Sequence, residues 1–177
     1  MAFPPLALAE ALVNRAALRE RSGDHTGALS DVQQVIGTDA TLADAWRMRG
    51  FIKMGSRDYP GAVESYRKVV ALDTPAAEDW VSLGLGLEQV GKAKPAQEAL
   101  EKALDLAPDN DHALQSIAAF HGRQGNVQRS LDYIERALAI DSSPQGPGAG
   151  PGSAGAPSRS TTGIGCPDLV LSLGRPG

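Results

Sequence analysis

A 34-residue periodicity runs through residues 9–144 and constrains the fold more than any other feature of the chain. Trp46 and Trp80 are separated by this interval, as are Gly50 and Gly84. Small residues recur at the same interval, each followed four residues later by a large apolar residue: Ala28 and Val32, Ala62 and Tyr66, Ala96 and Leu100, and Ser130 and Ile134. A repeat of this length indicates four copies of one supersecondary unit, whose neighbours complete each other's core.

Each unit is expected to contain two antiparallel helices joined by a tight turn, because apolar residues recur at intervals of three and four within each half. Glycine marks the turn in three units, at Gly23, Gly91 and Gly125. The second unit has Arg57 at this position, which departs from the pattern. The predicted helix starts are Asp24, Asp58 and Asn126 for second helices, and Thr74 for the first helix of the third unit.

The third unit resembles the tetratricopeptide repeat, whose pattern is W-x2-L-G-x2-Y, then A-x3-F, then P. The matching residues are Trp80, Leu83, Gly84, Leu87, Ala96, Leu100 and Pro108. The resemblance implies an all-α fold, a right-handed α-solenoid of antiparallel helix pairs whose first helices line a concave groove. The predicted segments are a lead at 1–8, repeats at 9–42, 43–76, 77–110 and 111–144, and a tail at 145–177.

The tail differs sharply in composition, since 14 of its 33 residues are glycine or proline, and it is expected to be disordered. Its apolar run, Asp168–Leu173, has three interpretations: a chance cluster, the L-x-L-x-L repression motif of plant transcriptional regulators that it resembles, or a segment that folds back onto the last repeat. That repeat has no following unit to cover Leu131, Tyr133 and Leu138 of its second helix. Self-association through this uncapped end is a further possibility.

Charge and cysteine content argue against several functional classes. Residues 1–144 carry 15 basic and 20 acidic residues that are interleaved, so no basic face for nucleic acid is expected. The single cysteine, Cys166, has no partner for an intramolecular disulfide. The N-terminus lacks the basic start of a signal peptide, and no stretch is long and apolar enough for a membrane span. A soluble cytoplasmic protein without membrane contact is therefore expected.

No catalytic or cofactor-binding pattern is recognisable. His25, His112 and His121 are scattered over different repeats, without metal-ligand spacing, and are expected to be surface or partly buried residues. The segment from Gly86 to Lys92 matches most of a phosphate-binding loop, but alanine follows where serine or threonine is required. The chain is therefore expected to have no catalytic residues, no metal and no cofactor, and not to be an enzyme.

The resemblance implies that a partner peptide or helix binds along the first helices. Helical spacing projects twelve side chains into the groove: Val13, Asn14, Ala17, Arg47, Met48, Phe51, Val81, Ser82, Leu85, Gln115, Ser116 and Ala119. Met48, Phe51, Val81 and Leu85 are expected to form an apolar floor, with Arg47 and Asn14 as polar handles. The alternative for each is packing between neighbouring repeats. Changing Phe51 to Ala and Arg47 to Glu is expected to abolish partner capture and leave helicity intact.

Two known roles of the family are not expected here. Its chaperone-binding members hold a carboxylate with a clamp of lysines, asparagines and an arginine. The corresponding positions are Val13, Ala17, Met48, Glu78 and Ser82 on the first three units, and Arg47, Phe51, Ser82, His112 and Ser116 on the last three. Neither set supplies the cations, so the acidic tails of heat-shock chaperones are not expected partners. The asparagine ladder of the sugar-transferase superhelix is absent too, since only Asn14 fits it.

The leading hypothesis is a non-catalytic protein–protein interaction module that acts as a scaffold, adaptor or escort for a protein partner. One alternative is a fragment or short isoform of a larger enzyme or transport factor that contains these repeats. Another is a solenoid that assembles with itself through uncapped ends.

Overall fold

The structure is a computed structural model that describes residues 5–72 and 74–141. These residues form eight α-helices and no strand. The helices are α1 (Pro5–Arg21), α2 (His25–Thr38), α3 (Ala43–Gly55), α4 (Tyr59–Val70), α5 (Ala77–Gln89), α6 (Ala93–Leu106), α7 (Asp111–Arg123) and α8 (Val127–Asp141). None of the helices in these ranges is long and apolar enough to cross a bilayer.

The helices pack as four consecutive hairpins. Each first helix contacts the second helix of its own unit, and α2, α4 and α6 also contact the first helix of the next unit. The fold is therefore an all-α solenoid of helix pairs, which confirms the predicted fold class. The tail, including the apolar run at 168–173, lies outside the described residues.

The turn inside each hairpin has the same backbone structure in all four units. In the first, the amide of Gly23 donates to the carbonyl of Glu20 over 2.9 Å, and the next amide donates to Arg19 over 2.8 Å. The φ angle at the glycine position is 84° at Gly23, and at Arg57 it is 61°. This left-handed conformation strains a residue that carries a Cβ by roughly 1–2 kcal/mol. The second unit therefore departs from the pattern in its residue and not in its backbone.

Two helix caps follow the sequence. Asp24 and Asp58 accept hydrogen bonds from the amides three residues later, over 2.9 and 3.0 Å, which confirms both predicted caps. The predicted start at Thr74 is wrong, because α5 begins at Ala77. The Asp79 carboxylate accepts a hydrogen bond from the amide of Ala76 over 2.8 Å, so the helix is capped from within its first turn.

Close helix contact inside each hairpin depends on one small residue opposite one large residue. A Cβ on Gly84 would lie 2.8 Å from Cγ of Leu100, and a Cβ on Gly50 would lie 2.8 Å from Cζ of Tyr66. In the first and last units alanine takes the small position, and its partner at the same 16-residue separation is β-branched. These two pairs are Ala16 with Val32 and Ala118 with Ile134. Every hairpin thus has glycine or alanine at the small position.

A second pair of positions, also 16 residues apart, changes from polar to apolar along the chain. Arg15 holds the buried Asp31 with two hydrogen bonds of 2.6 and 2.8 Å, and the guanidinium lowers the pKa of that carboxyl below its usual value. One unit later Arg49 donates to Ser65 over 3.2 Å. The third and fourth units carry apolar or aromatic pairs at these positions: Leu83 with Ala99 and Ile117 with Tyr133.

Candidate functional site

The four first helices, α1, α3, α5 and α7, form one side of the array, which we call the first-helix face. Helix α1 contacts α3, and α5 contacts α7, whereas the second helices chiefly contact their own partners and the following first helix. First helices are therefore neighbours along the array. A partner segment that lies across them meets side chains from several units.

The twelve predicted groove residues are not equally accessible. Three are exposed, seven are half-buried and two are buried. The exposed ones are Asn14, Gln115 and Ala119; the half-buried ones are Val13, Ala17, Arg47, Met48, Phe51, Ser82 and Leu85; and the buried ones are Val81 and Ser116.

Val81 has no exposed area, so its assignment to the groove is wrong. Ser116 is 7% exposed and offers almost no surface to a partner, so its assignment is wrong as well.

The burial of Val81 follows from a contact between consecutive first helices. Arg47 on α3 donates to Asp79 on α5 through Nε over 2.7 Å and through Nη2 over 2.8 Å. The equivalent pairs are apolar: Val13 and Ala45 one unit earlier, and Val81 and Ala113 one unit later. We call these three pairs the junction pairs. The members of these pairs hold one unit against the next. Packing between neighbouring repeats is the alternative considered above for each groove residue.

Arg47 is not a free polar handle. Besides its two bonds to Asp79, it donates through Nη1 to Asp44 over 2.7 Å, so all three guanidinium nitrogens are engaged. Asp79 is 4% exposed and depends on this cation. Arg47→Glu would place a second carboxylate beside it and destabilise the junction. That variant is therefore unsuitable as a test of partner binding.

Three apolar side chains on α3 and α5 remain as the candidate floor of the site. Met48 packs against the core cluster of the first two units, and Leu85 packs against the core cluster of the last units. Phe51 is half-buried but packs against neither cluster within the described residues. Phe51 is thus the one of these three side chains that neither core cluster includes.

A row of carboxylates flanks this floor. Glu10, Asp44 and Glu78 occupy equivalent positions on the first three first helices, and all three are exposed. Glu78 accepts one hydrogen bond from Asn110, over 2.6 Å, and Asp44 accepts one from Arg47. The 34-residue interval between these acids is the sequence signal that marks the row. The row gives the first-helix face a negative edge.

A separate open cleft of about 490 Å³ lies among α6, α7 and α8. Its lining mixes both charges and consists of Gln97, Glu101, His121, Arg129, Asp132, Tyr133 and Arg136. His121 is 1% exposed and stacks on Tyr133, with ring centroids 5.7 Å apart and planes 5° apart. The expectation that it is a surface or partly buried residue is therefore wrong. The third unit has Leu87 at the same position, so the histidine replaces a core residue.

His121 is expected to make the fold less stable at acid pH. Burial disfavours the imidazolium and lowers the pKa of His121; Arg129 adds to this, and Glu101 opposes it. The unfolded chain takes up a proton near pH 6.5 while the folded chain resists it, so stability falls as the pH drops through this value. His121→Leu should therefore reduce the loss of melting temperature between roughly pH 7.5 and pH 5.5. Thermal melts followed by circular dichroism measure this.

His112→Leu is the matched control, because His112 is an exposed histidine on the same helix. It should leave the pH dependence of the melting temperature unchanged. An equal pH dependence in wild type and His121→Leu would show that His121 does not contribute.

The four hairpins resemble the structures of known proteins. Residues 80–110 match the family model of the tetratricopeptide repeat. The chain is similar to MamA from Desulfovibrio magneticus, with a TM-score of 0.71 and 20% identity over 78% of each chain. It is also similar to YrrB, described as a protein of this repeat type with an unusual peptide-binding site, with a TM-score of 0.63 and 18% identity over 73% of this chain and 67% of that one.

A third similar structure belongs to an enzyme. A Thermobaculum terrenum O-GlcNAc transferase matches with a TM-score of 0.65 and 24% identity over 77% of this chain, but over only 27% of the transferase chain. The four hairpins therefore share the fold that these proteins have in common, and the third hairpin carries the sequence pattern of the repeat.

Proposed function

We propose that this tetratricopeptide-repeat protein is a non-catalytic interaction module, which binds a peptide or helix of a partner protein on its first-helix face and thereby scaffolds or escorts that partner. The observation that carries the proposal is Phe51, a half-buried aromatic side chain on a first helix that packs against neither core cluster of the described residues. Large aromatic residues dominate binding energy at protein interfaces.

The surroundings of Phe51 indicate the chemistry of the partner. Met48 on the same helix and Leu85 on the next first helix supply further apolar surface. The carboxylates of Asp44 and Glu78 lie on these same two helices and are exposed. A segment that pairs apolar residues with lysine or arginine complements this combination, whereas an acidic segment is repelled. The YrrB structure, described as having a peptide-binding site, supports peptide binding as a use of this fold.

Selection from a displayed library of random peptides against the full chain tests the proposal. We expect enrichment of peptides with apolar residues next to lysine or arginine. Phe51→Ala should weaken binding of a selected peptide by about tenfold or more, because removal of a central aromatic anchor has the largest effect at such surfaces. Fluorescence polarisation with a labelled peptide measures the change.

Leu106→Ala is the matched control, since Leu106 is an exposed apolar residue on the second helix α6. It should bind the peptide as the wild type does. Circular dichroism should show equal helicity for both variants. Unchanged binding by Phe51→Ala would move the site away from the first-helix face, and failure to select any peptide would contradict the proposal.

A second candidate function is a partner-binding arm of a larger enzyme. The observation that favours it is the transferase match, in which this fold accounts for 27% of the longer chain. Mass spectrometry of the natural protein, isolated with antibodies to residues 80–110, would reveal a longer polypeptide if this second function holds.

A further inference from the structure

Helix α8 carries an uncovered apolar stripe. Val127, Leu131, Ile134 and Leu138 follow one another at intervals of four, three and four, which places them on one side of the helix. Leu131 is 45% exposed, Ile134 is 42% exposed and Leu138 is 62% exposed. We call this stripe the C-terminal face.

Two of these four positions are buried in the third unit, where a first helix follows. Leu100, one unit before Ile134, has no exposed area, and Leu104, one unit before Leu138, is 9% exposed. The difference arises because α7 contacts α6, whereas no described helix follows α8. The C-terminal face is thus the surface that a first helix covers elsewhere in the array.

Helix α1 exposes the complementary surface at the other end. Leu8 is 46% exposed, Leu18 is 65% exposed, and Ala11 between them is also exposed. The residues equivalent to Leu18 in the second and fourth units are Ile52 and Phe120, which are 0% and 2% exposed. We call this surface of α1 the N-terminal face. Later first helices bury the positions equivalent to Ala11 and Leu18.

One internal contact shows how the two faces fit together. A Cβ on Gly86 of α5 would lie 3.0 Å from Cγ2 of Val63 on α4, so these two positions meet across the boundary between units. The equivalent pairs at the other two boundaries are Leu29 with Ile52 and Gln97 with Phe120. These pairs recur every 34 residues. At each end of the array one such position has no counterpart among the described residues: Leu131 on the C-terminal face and Leu18 on the N-terminal face.

We infer that the protein binds a second copy of itself end to end, with α1 of one copy packed on α8 of another as α3 packs on α2. Leu18 of one copy then meets Leu131 of the other. Each copy contributes a different surface, so the contact is heterologous and one free face remains at each end of any assembly. Growth therefore continues beyond the dimer.

Arg15, a cation beside the N-terminal face, already has a partner. Arg15 lies between Ala11 and Leu18, and its guanidinium is held by Asp31 of its own hairpin. Arg49 occupies the equivalent position in the second unit, where it is half-buried and donates to Ser65 over 3.2 Å within its own hairpin. In both units the arginine is thus held by its own hairpin.

The tail is a poor substitute for a second copy. First helices α3, α5 and α7 each contain 13 residues. The longest stretch of residues 142–177 without glycine or proline is the six-residue run at 168–173. Glycine and proline both disfavour helix interiors, so the composition of this stretch does not favour a 13-residue helix. A second copy supplies a complete one.

Sedimentation velocity of the full chain over a concentration series tests the inference. The weight-average mass of the wild type should rise past that of a dimer without a plateau. Leu18→Glu blocks the N-terminal face and Leu131→Glu blocks the C-terminal face. Association of each variant alone should be weaker than that of the wild type by about tenfold or more, so that it remains monomeric. The reason is that the contact would bury a carboxylate among apolar side chains.

Mixing the two variants gives the decisive result. Leu18→Glu keeps its C-terminal face and Leu131→Glu keeps its N-terminal face, so the mixture should form a one-to-one dimer that does not grow. Leu106→Glu, which changes an exposed leucine of α6 away from both faces, should associate as the wild type does.

A wild type that stays monomeric at all concentrations would overturn the inference, and would be the result if the tail covered α8 instead. Self-association of Leu18→Glu equal to that of the wild type would also overturn it, because this would indicate a symmetric contact between two C-terminal faces.

Discussion

Arg47→Val is expected to lower the free energy of unfolding by about 3 kcal/mol, because it removes one partner of a buried ion pair. Asp79 is 4% exposed and receives two hydrogen bonds from this guanidinium. Without the cation, its carboxylate is left at the boundary between two units with only the amide of Ala76 as a hydrogen-bond donor. Denaturation by urea, followed by circular dichroism, measures the change against Lys68→Val, which alters an exposed cation on α4.

The double variant Arg47→Val, Asp79→Ala should recover most of this loss. Valine and alanine are the residues that stand in these two positions at the other two boundaries, where both alanines are fully buried. Well-packed apolar residues commonly replace a buried ion pair without loss of stability. We expect the double variant to unfold within about 1 kcal/mol of the wild type. Additive losses from the two single changes would show that the junction pairs are not interchangeable.

Gly84→Ala is expected to destabilise the third hairpin by about 1–3 kcal/mol, because the added methyl group overpacks the contact between α5 and α6. It would lie 2.8 Å from Cγ of Leu100 and 3.2 Å from the backbone oxygen of Ala96, which cannot rotate away. Gly37→Ala is the matched control, since a Cβ on Gly37 of α2 meets no atom within 4 Å. It should instead stabilise its helix by up to about 1 kcal/mol.

The other hairpins suggest how to relieve the clash. The first hairpin pairs Ala16 with Val32 at these positions, so Leu100→Val should recover part of the stability lost in Gly84→Ala. The free energies of the two single variants and the double variant form a cycle that measures this coupling. If the two losses simply add, the small residue is not matched to its partner.

The sequence predicted the hairpins, their turns and two of the caps because these features depend on residues close together in the chain. The 34-residue repeat places these features at the same positions in every unit. The turn at Arg57 is one of them, because its φ angle of 61° is positive, as at the glycine turns. The helix at Ala77 was harder to predict. Its first-turn carboxylate, at Asp79, bonds the amide of Ala76 and also binds Arg47 of the preceding unit.

The groove was predicted less well because helical spacing assigns a residue to a side of its own helix and says nothing about which neighbour covers that side. Val81 faces the next first helix and is buried, whereas Gln115 at the equivalent position of the last unit is exposed. The signal that separates them is the residue 32 positions later, which is alanine or aspartate in the three junction pairs. The amino-acid sequence indicates a junction only when both members of the pair are considered together.

The central claim is that the first-helix face around Phe51 binds a partner, and a nuclear magnetic resonance titration of the isotope-labelled full chain with a selected peptide tests it most directly. The predicted result is that amide shifts change at Met48, Phe51, Ser82 and Leu85, on α3 and α5, and stay constant for exposed residues of the second helices such as Glu64 and Lys102. Shift changes confined to the second helices, or to α8, would contradict the account.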